Sequence, residues 1–328
     1  MEELDILVLG AGWTATFLLP LLKQRGLAFA ATTTNGREVA GFPTIPFKFD
    51  ASGSSDDGKA AIAALPRARH VLITFPLTGK GPSKFLTETY AATHTRTKPD
   101  DGSTFAENKK SHFRFIQLGS TGVWQSKGQQ AQQTNTARHS HYPTTQDSPP
   151  VPKSLWYTRH SPHDTTSPRA VAEDELLSLG GCVLALSGLW GGARDPRNWV
   201  NRVGPTKEAV KNKASLHMIH GDDVARAICA VMTTEKWDEV AEGQRWMITD
   251  GFVYDWWALF AGWAGEGKRD GEEEGTEAEP TQQAKWVYEL MNEEDVRALP
   301  RSMEQLGRCY DSREFWATFE LAPLRARV

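Results

Sequence analysis

The sequence predicts an α/β fold, a doubly wound parallel sheet with helices on both faces and a smaller C-terminal substrate-side lobe, on three observations. Short apolar, β-favouring runs alternate with helical stretches over the first 190 residues. The first run breaks at glycines and passes straight into a helix. A further apolar run, "GCVLALSGLWG" at 181–191, resumes the alternation after long polar stretches.

"DILVLGAGW" opens with Ile6 to Leu9 as a strand, and "TATFLLPLLKQRG" follows as a helix closed by Gly26. Pro20 lies inside that helix, where its missing donor predicts a kink or an end. "LAFAATTT", "TIPFKFDAS", "ARHVLITFP" and "HFRFIQLGS" are the second to fifth strands, with "DDGKAAIAALPRA" as a helix between the third and fourth. "SPRAVAEDELL" starts a helix at Ser167, with Pro168 at its first position. "GCVLALSGLWG" is the sixth strand, and "SLHMIHGDDVARAICAVMTT" is a short strand, a turn and an amphipathic helix capped by Asp222 or Asp223. Residues 1–190, with the sheet completed by about 215–233, form the main domain. Residues 191–214 and 234–328 form the smaller lobe. Three polar segments, 94–112, 125–166 and the acidic 265–283, carry too little apolar surface to build a core and are expected as surface insertions.

A chain of 328 residues can bury one large core, and its net charge of −4 without a long basic run speaks against nucleic-acid and membrane partners. Cys182, Cys229 and Cys309 are widely spaced and form neither a disulfide framework nor a zinc motif. A cytoplasmic setting is the expectation. The start Met-Glu-Glu-Leu-Asp lacks the basic region of a signal peptide, and "TFLLPLL" is too short to span a bilayer.

Gly10-Ala11-Gly12-Trp13-Thr14-Ala15 stands between strand and helix. A first glycine there permits the tight turn, a second admits a pyrophosphate to the backbone, and the helix start offers free N–H groups. The loop therefore predicts a dinucleotide site at Gly10, Gly12, Trp13 and Thr14, the alternative being a structural turn. An acid at the end of the second strand would hold a ribose 2′-hydroxyl. The residues present are Thr32-Thr33-Thr34-Asn35-Gly36-Arg37, with no acid before Glu38. Thr33, Thr34 and Arg37 favour the 2′-phosphate of NADP(H), NAD(H) being the alternative, unless Arg37 is a solvated loop charge. Asp50, Phe75 and Pro76, at the ends of the third and fourth strands, are further candidate cofactor contacts.

"QLGSTGVW" at 117–124 resembles the fifth-strand segment of extended short-chain dehydrogenase/reductases, a Rossmann-fold superfamily. "TTQDSPPVP", "SPRAVAEDELL", "LALSGLWGGARDP" and "MIHGDDVARAI" follow in the family's order. The resemblance extends to about residue 250 and is nearest the atypical YeeZ-like, NAD-dependent epimerase/dehydratase-like group. It implies an oxidoreductase or epimerase acting on a small polar or nucleotide-sugar substrate, with Ser120 in the catalytic serine position. It also places Thr165 where the family has its tyrosine and Arg169 where it has its lysine. No Tyr-x-x-x-Lys occurs in this sequence. Threonine is a far weaker proton donor than a phenol, and arginine does not exchange a proton at neutral pH. Arg169 can still bind a ribose or phosphate as a fixed cation. A non-catalytic NADP(H)-binding sensor is the competing reading.

Tyr157, His160, His163 and Asp164 are the acid–base candidates just before the helix. His139/His141, His160/His163 and His217/His220 have metal-like spacing but no supporting carboxylates or thiolates, and no metal is expected. Arg194 and Arg197, after the sixth strand, are candidate clamps for a substrate phosphate or carboxylate, or else part of a surface turn. Of the 12 tryptophans, Trp246, Trp256, Trp257, Trp263, Trp286 and Trp316 crowd the last third and are expected to fill core.

Overall fold

The computed structural model describes residues 3–50, 56–95, 113–125, 156–266 and 279–326. His139, His141, the segment 144–152, most of the 125–166 insertion, residues 96–112 and the acidic centre of 265–283 lie outside the described residues. In chain order the elements are β1 (Leu4–Leu9), α1 (Trp13–Gln24), β2 (Phe29–Thr33), β3 (Ile45–Pro46), α2 (Asp56–Ala63), β4 (Ala68–Ile73), α3 (Pro82–His94) and β5 (Arg114–Ser120). There follow β6 (Trp156–Tyr157), α4 (Pro168–Ser178), β7 (Cys182–Leu186), β8 (Gly188–Trp190), β9 (Ser215–Leu216), β10 (Met218–His220) and α5 (Gly221–Thr233). The chain continues with β11 (Arg245–Ile248), β12 (Tyr254–Asp255), α6 (Trp256–Gly262), α7 (Gln282–Glu293), β13 (Cys309–Tyr310) and α8 (Arg313–Thr318), among shorter helical turns.

Seven strands form one sheet in the order β11-β7-β5-β4-β1-β2-β3, and every pairing in it is parallel. This is the doubly wound architecture, with the order reversing between β1 and β4. The strand period of two sorts the core. Ile6 and Val8 point to the face covered by α1 and α5, while Leu7 and Leu9 point to the face covered by α3 and α4. Each of these fully buried aliphatic side chains contributes about 1.5–3 kcal/mol.

Three elements differ from the sequence expectation. The sheet is completed by β11, not by residues 215–233. Ser215–His220 instead splits into β9, paired with β12, and β10, paired with β8, and only α5 joins the sheet's helical layer. The brevity of "RWMI" and its leading arginine hide an edge strand whose Arg245 is buried against carboxylates. Helix α1 also runs unbroken through Pro20, which sits on its exposed side together with Thr16, whose carbonyl loses its helical donor and faces water. Finally, α3 was not foreseen. Glu175 of α4 accepts the amides of Gly81, Ser83 and Lys84 at the start of α3, a cap supplied from 91 to 94 residues away.

The last third packs its own cluster from Trp256, Trp257, Trp263, Phe260 and Val287, with Trp286 half-buried beside it. Trp246 and Trp316 belong to the main core. The tryptophans thus serve as bulk, as expected.

Candidate functional site

The glycine loop is pinned from both neighbouring strands. Gly10 N donates to Thr32 Oγ1 at 3.0 Å and Ala11 N to the Thr32 carbonyl at 2.6 Å. From the other side, Thr74, the first residue beyond β4, donates its hydroxyl to the carbonyls of Leu9 and Gly10. Helix α1 then starts with no side-chain cap; Gly12 N and Ala15 N bond the Gly10 and Gly12 carbonyls, and the N–H groups of Trp13 and Thr14 are left for an outside acceptor. A Cβ placed on Gly12 would meet nothing closer than the Gly10 carbonyl, at 3.9 Å. The loop's outer wall is bare backbone. It bounds a cavity of about 220 Å³ that Thr74, Gly119, Arg169 and Arg194 also line and to which, among the described residues, no carboxylate contributes.

At the end of β2, Thr44 donates its hydroxyl to the Arg37 carbonyl at 2.6 Å and lies 2.7 Å from the Thr33 hydroxyl. Thr33 is therefore the donor to Thr44, and its role is to close the loop. Arg37 N bonds Asn35 Oδ1, while the Arg37 side chain is exposed and has no ion-pair partner among the described residues. Thr34 is exposed beside it, as are Asp50 beyond β3 and Pro76 beyond β4. Phe75 packs between the Gly10 turn and Phe49, whose ring lies 5.6 Å from its own.

Ser120 ends β5, and its Oγ accepts Gly122 N at 3.1 Å, which leaves the hydroxyl proton free to donate. Arg169, in the first turn of α4, projects into the same cavity as the glycine loop. It is held by the Leu118 carbonyl at 3.5 Å and by Glu173 Oε1, 3.4 Å from its Nε. Glu173 is fully buried, and its second oxygen lies 3.3 Å from Arg245. Burial pushes the Glu173 carboxyl up, against the pull of Arg245 and Arg169. Arg245 further reaches Asp174 at 2.9 Å and His163 at 3.2 Å. Thr165 is exposed and does not line the cavity, so Arg169 arrives there without it.

The other candidates are occupied structurally. His160 bonds Glu314 at 2.9 Å, and His163 lies against Asp174 and Arg245. Asp164 accepts the amide and hydroxyl of Thr166, bonds that hold its carboxyl below the usual range. Tyr157 packs its ring against Tyr310. His217 is buried with Nε2 accepting Tyr310 N. His220, not Asp222 or Asp223, caps α5, its Nδ1 accepting Asp222 N at 3.1 Å. Asp223 instead turns inward to the amides of Leu324 and Arg325 and so anchors the C-terminal tail. Among the described residues no three His, Cys, Asp or Glu side chains converge as a metal site.

The two arginines after the sixth strand part company. Arg194 lines the glycine-loop cavity, whereas Arg197 points elsewhere, 3.9 Å from Asp195. Sequence reasoning missed Thr74, Leu118, Gly119, Leu186 and Leu189 as lining residues. Four of the five lie at or just past the carboxyl ends of β4, β5 and β7, where ligands of such sheets sit, and that position was the available signal. A larger cavity, about 830 Å³, opens beside Asp250, Ser312, Arg313 and Trp316. None of the glycine-loop residues lines it, so loop chemistry and not size identifies the site.

No family model matches the chain, and no curated protein matches its sequence. Solved structures match nearly its whole length. A conserved protein of unknown function from Silicibacter pomeroyi DSS has a TM-score of 0.56 at 15% identity over 99% of this chain and 95% of its own. MoeE5 in complex with UDP-glucuronic acid and NAD gives 0.56 at 12% identity, over 98% and 94%. A provisionally described NAD-dependent epimerase/dehydratase from Methylobacillus flagellatus gives 0.52 at 12%, over 97% and 92%. At these identities the likeness is one of fold. The Rossmann-type fold expected from the sequence is thereby shown. Among the described residues, no helix is long and apolar enough to cross a membrane.

Proposed function

We propose that the chain binds NADP(H) at the glycine loop and acts as an atypical short-chain dehydrogenase/reductase-like oxidoreductase or epimerase on a small polar or nucleotide-sugar substrate. The observation that carries this reading is the bare Gly12 wall beneath the open N-terminus of α1, at the point where the strand order reverses. MoeE5, of the same fold, is a complex with NAD and a UDP-sugar, which supports both ligand classes. The preference for NADP(H) over NAD(H) rests on Arg37, exposed and unpaired among the described residues at the end of β2, with Thr34 beside it.

A nicotinamide dinucleotide bound there supplies hydride transfer. The chain's own residues bind, orient and polarise. Trp13 and Thr14 would receive phosphate oxygens on backbone N–H groups beside the bare Gly12 wall, Gly12 N itself donating to the Gly10 carbonyl. Ser120 donates its hydroxyl proton to a substrate oxygen, since its lone pairs already serve Gly122. Arg169 stands as a fixed cation at the ribose or phosphate, backed by Glu173. Thr165 can offer only a hydroxyl hydrogen bond. The substrate side is assigned to residues 191–214 and those after Thr249, with Arg197 as a candidate anion contact. Three buried free thiols, Cys182, Cys229 and Cys309, support a reducing, cytoplasmic setting.

The replacement of the tyrosine–lysine pair by Thr165 and Arg169 favours a second reading, a non-catalytic NADP(H)-binding sensor. Calorimetric titration with NADPH, NADH, NADP⁺ and NAD⁺ tests what the two readings share. Selective binding of NADP(H) is expected, and absence of binding refutes both. NADPH oxidation across a panel of carbonyl and nucleotide-sugar substrates, lost in Ser120→Ala, separates the enzyme from the sensor.

A further inference from the structure

We infer that Arg194 is a ligand of the cofactor's diphosphate, delivered to the glycine loop by the indole of Trp13, an assignment that rests on the NADP(H) reading above. Residues 191–194 form a tight backbone hairpin, Gly191 N donating to the Arg194 carbonyl at 2.8 Å and Arg194 N to the Gly191 carbonyl at 3.1 Å. The Gly191 carbonyl also accepts Trp13 Nε1 at 2.9 Å. The hairpin is thereby tied to the residue that follows Gly12, across 178 residues of sequence. Arg194 lays its guanidinium over the same indole, Cζ 4.6 Å from the ring centroid, within the range of a cation–π contact.

The stack orders a side chain that has no carboxylate and no hydrogen-bond acceptor among the described residues. A guanidinium has five N–H donors, and those of Arg194 remain unspent at a cavity wall. Arg169, the other cation there, is partly neutralised by Glu173. Arg194 is exposed, and the cavity sets its positive charge next to the positive end of α1, an arrangement that favours an anion. Its volume of about 220 Å³ falls below the roughly 300 Å³ where sites for whole drug-sized ligands begin, which suits a bridging diphosphate rather than an entire dinucleotide. Arg197 does not line this cavity, so of the two arginines Arg194 serves the cofactor. The same geometry explains a bulky aromatic inside a glycine loop. Trp13 is the bracket for the hairpin.

The test uses the full chain and two probes, NADP⁺ and adenosine 2′-phosphate, which shares the 2′-phosphate but has no diphosphate. Arg194→Ala is expected to weaken NADP⁺ by about 10- to 100-fold, as for loss of a charge-assisted contact, and to leave adenosine 2′-phosphate unchanged. Arg194→Lys, which keeps the charge without the planar fork, falls between. Trp13→Leu reproduces the selective loss with Arg194 intact. Inorganic pyrophosphate competes with NADP⁺ in the wild type and not in Arg194→Ala. Unaltered NADP⁺ affinity in Arg194→Ala overturns the assignment, as does an equal loss of both probes, which would mark a structural role. Wild-type protein that binds neither probe overturns the cofactor reading itself and the assignment with it.

Discussion

Gly10 and Gly12 stand two residues apart, yet the structure assigns them opposite consequences on substitution. Gly10 has φ +87°, and a Cβ there would lie 2.9 Å from both Phe75 Cδ1 and Thr74 Oγ1. Gly10→Ala combines a left-handed backbone, which costs an L-residue about 1–2 kcal/mol, with a clash in a pinned turn. A total of about 2–4 kcal/mol lowers Tm by several degrees in a chain of this size. At Gly12 the added methyl meets the protein only at 3.9 Å, so Gly12→Ala leaves Tm almost unmoved. On the proposed reading the methyl instead occupies the space where a phosphate touches the backbone. Displacing that phosphate by a little over 1 Å breaks two charge-assisted N–H bonds, each worth about 1.5–3 kcal/mol, which is roughly a 10²- to 10⁴-fold loss of affinity. Thermal unfolding and calorimetry with NADPH on both variants read the two effects separately, and Gly12→Val sharpens the second. Undiminished NADPH affinity in Gly12→Ala and Gly12→Val would refute the cradle.

Arg37→Ala is expected to weaken NADPH by about 10- to 100-fold and NADH hardly at all, by titration, since only the former carries the 2′-phosphate; an equal loss for both removes the basis for NADP(H) preference. Asp250 is buried, which pushes its carboxyl up to about 6 against the hydrogen bonds from the Tyr254 hydroxyl and Phe252 amide. A raised carboxyl contributes stability that is full below its unfolded value, near 4, and lost as pH rises through about 6. Wild type should therefore lose about 2 kcal/mol against the non-titrating Asp250→Asn between pH 4 and pH 7, read as urea midpoints; parallel curves contradict this. Asp255, buried, takes both the Nε and NH2 of Arg301 and caps the α6 amide of Trp257. Asp255→Ala should cost about 3–5 kcal/mol by stranding the arginine, and the added change Arg301→Met should restore part of it.

The sheet was legible because its strands are short apolar runs bounded by turn residues, and the glycine loop because tight turns before helices accept few other residues. What escaped was carried by contacts distant in sequence. Strand β11 begins with an arginine whose burial makes sense only beside Glu173 and Asp174 of α4. Helix α3 has its cap in Glu175 of α4. Within the site, Thr74 is invisible in sequence because its hydroxyl acts on carbonyls of another strand. Arg194 was visible as a cation after the sixth strand. Its partner Trp13 lies at the opposite end of the domain's sequence, so its placement needed the fold.

On the proposed short-chain dehydrogenase/reductase-like reading, the exchange of lysine for arginine and of tyrosine for threonine forms one physical change. A lysine at this place favours the phenolate of a tyrosine one turn earlier and hands on protons. With no phenol, there is no proton to manage, and a cation that keeps its charge is no handicap. Arginine adds what lysine lacks, a planar fork that reaches the Leu118 carbonyl and Glu173 from the wall of the cavity. Glu173 is buried between two arginines, Arg169 at the cavity wall and Arg245, which Asp174 also pairs. On that reading the ensemble offers an anion fixed guanidinium groups, and among the described residues no phenol lines the cavity. Any proton transfer at Ser120 must then come from the substrate or from water, and a turnover reaction should lack the pH dependence that a tuned tyrosine imposes.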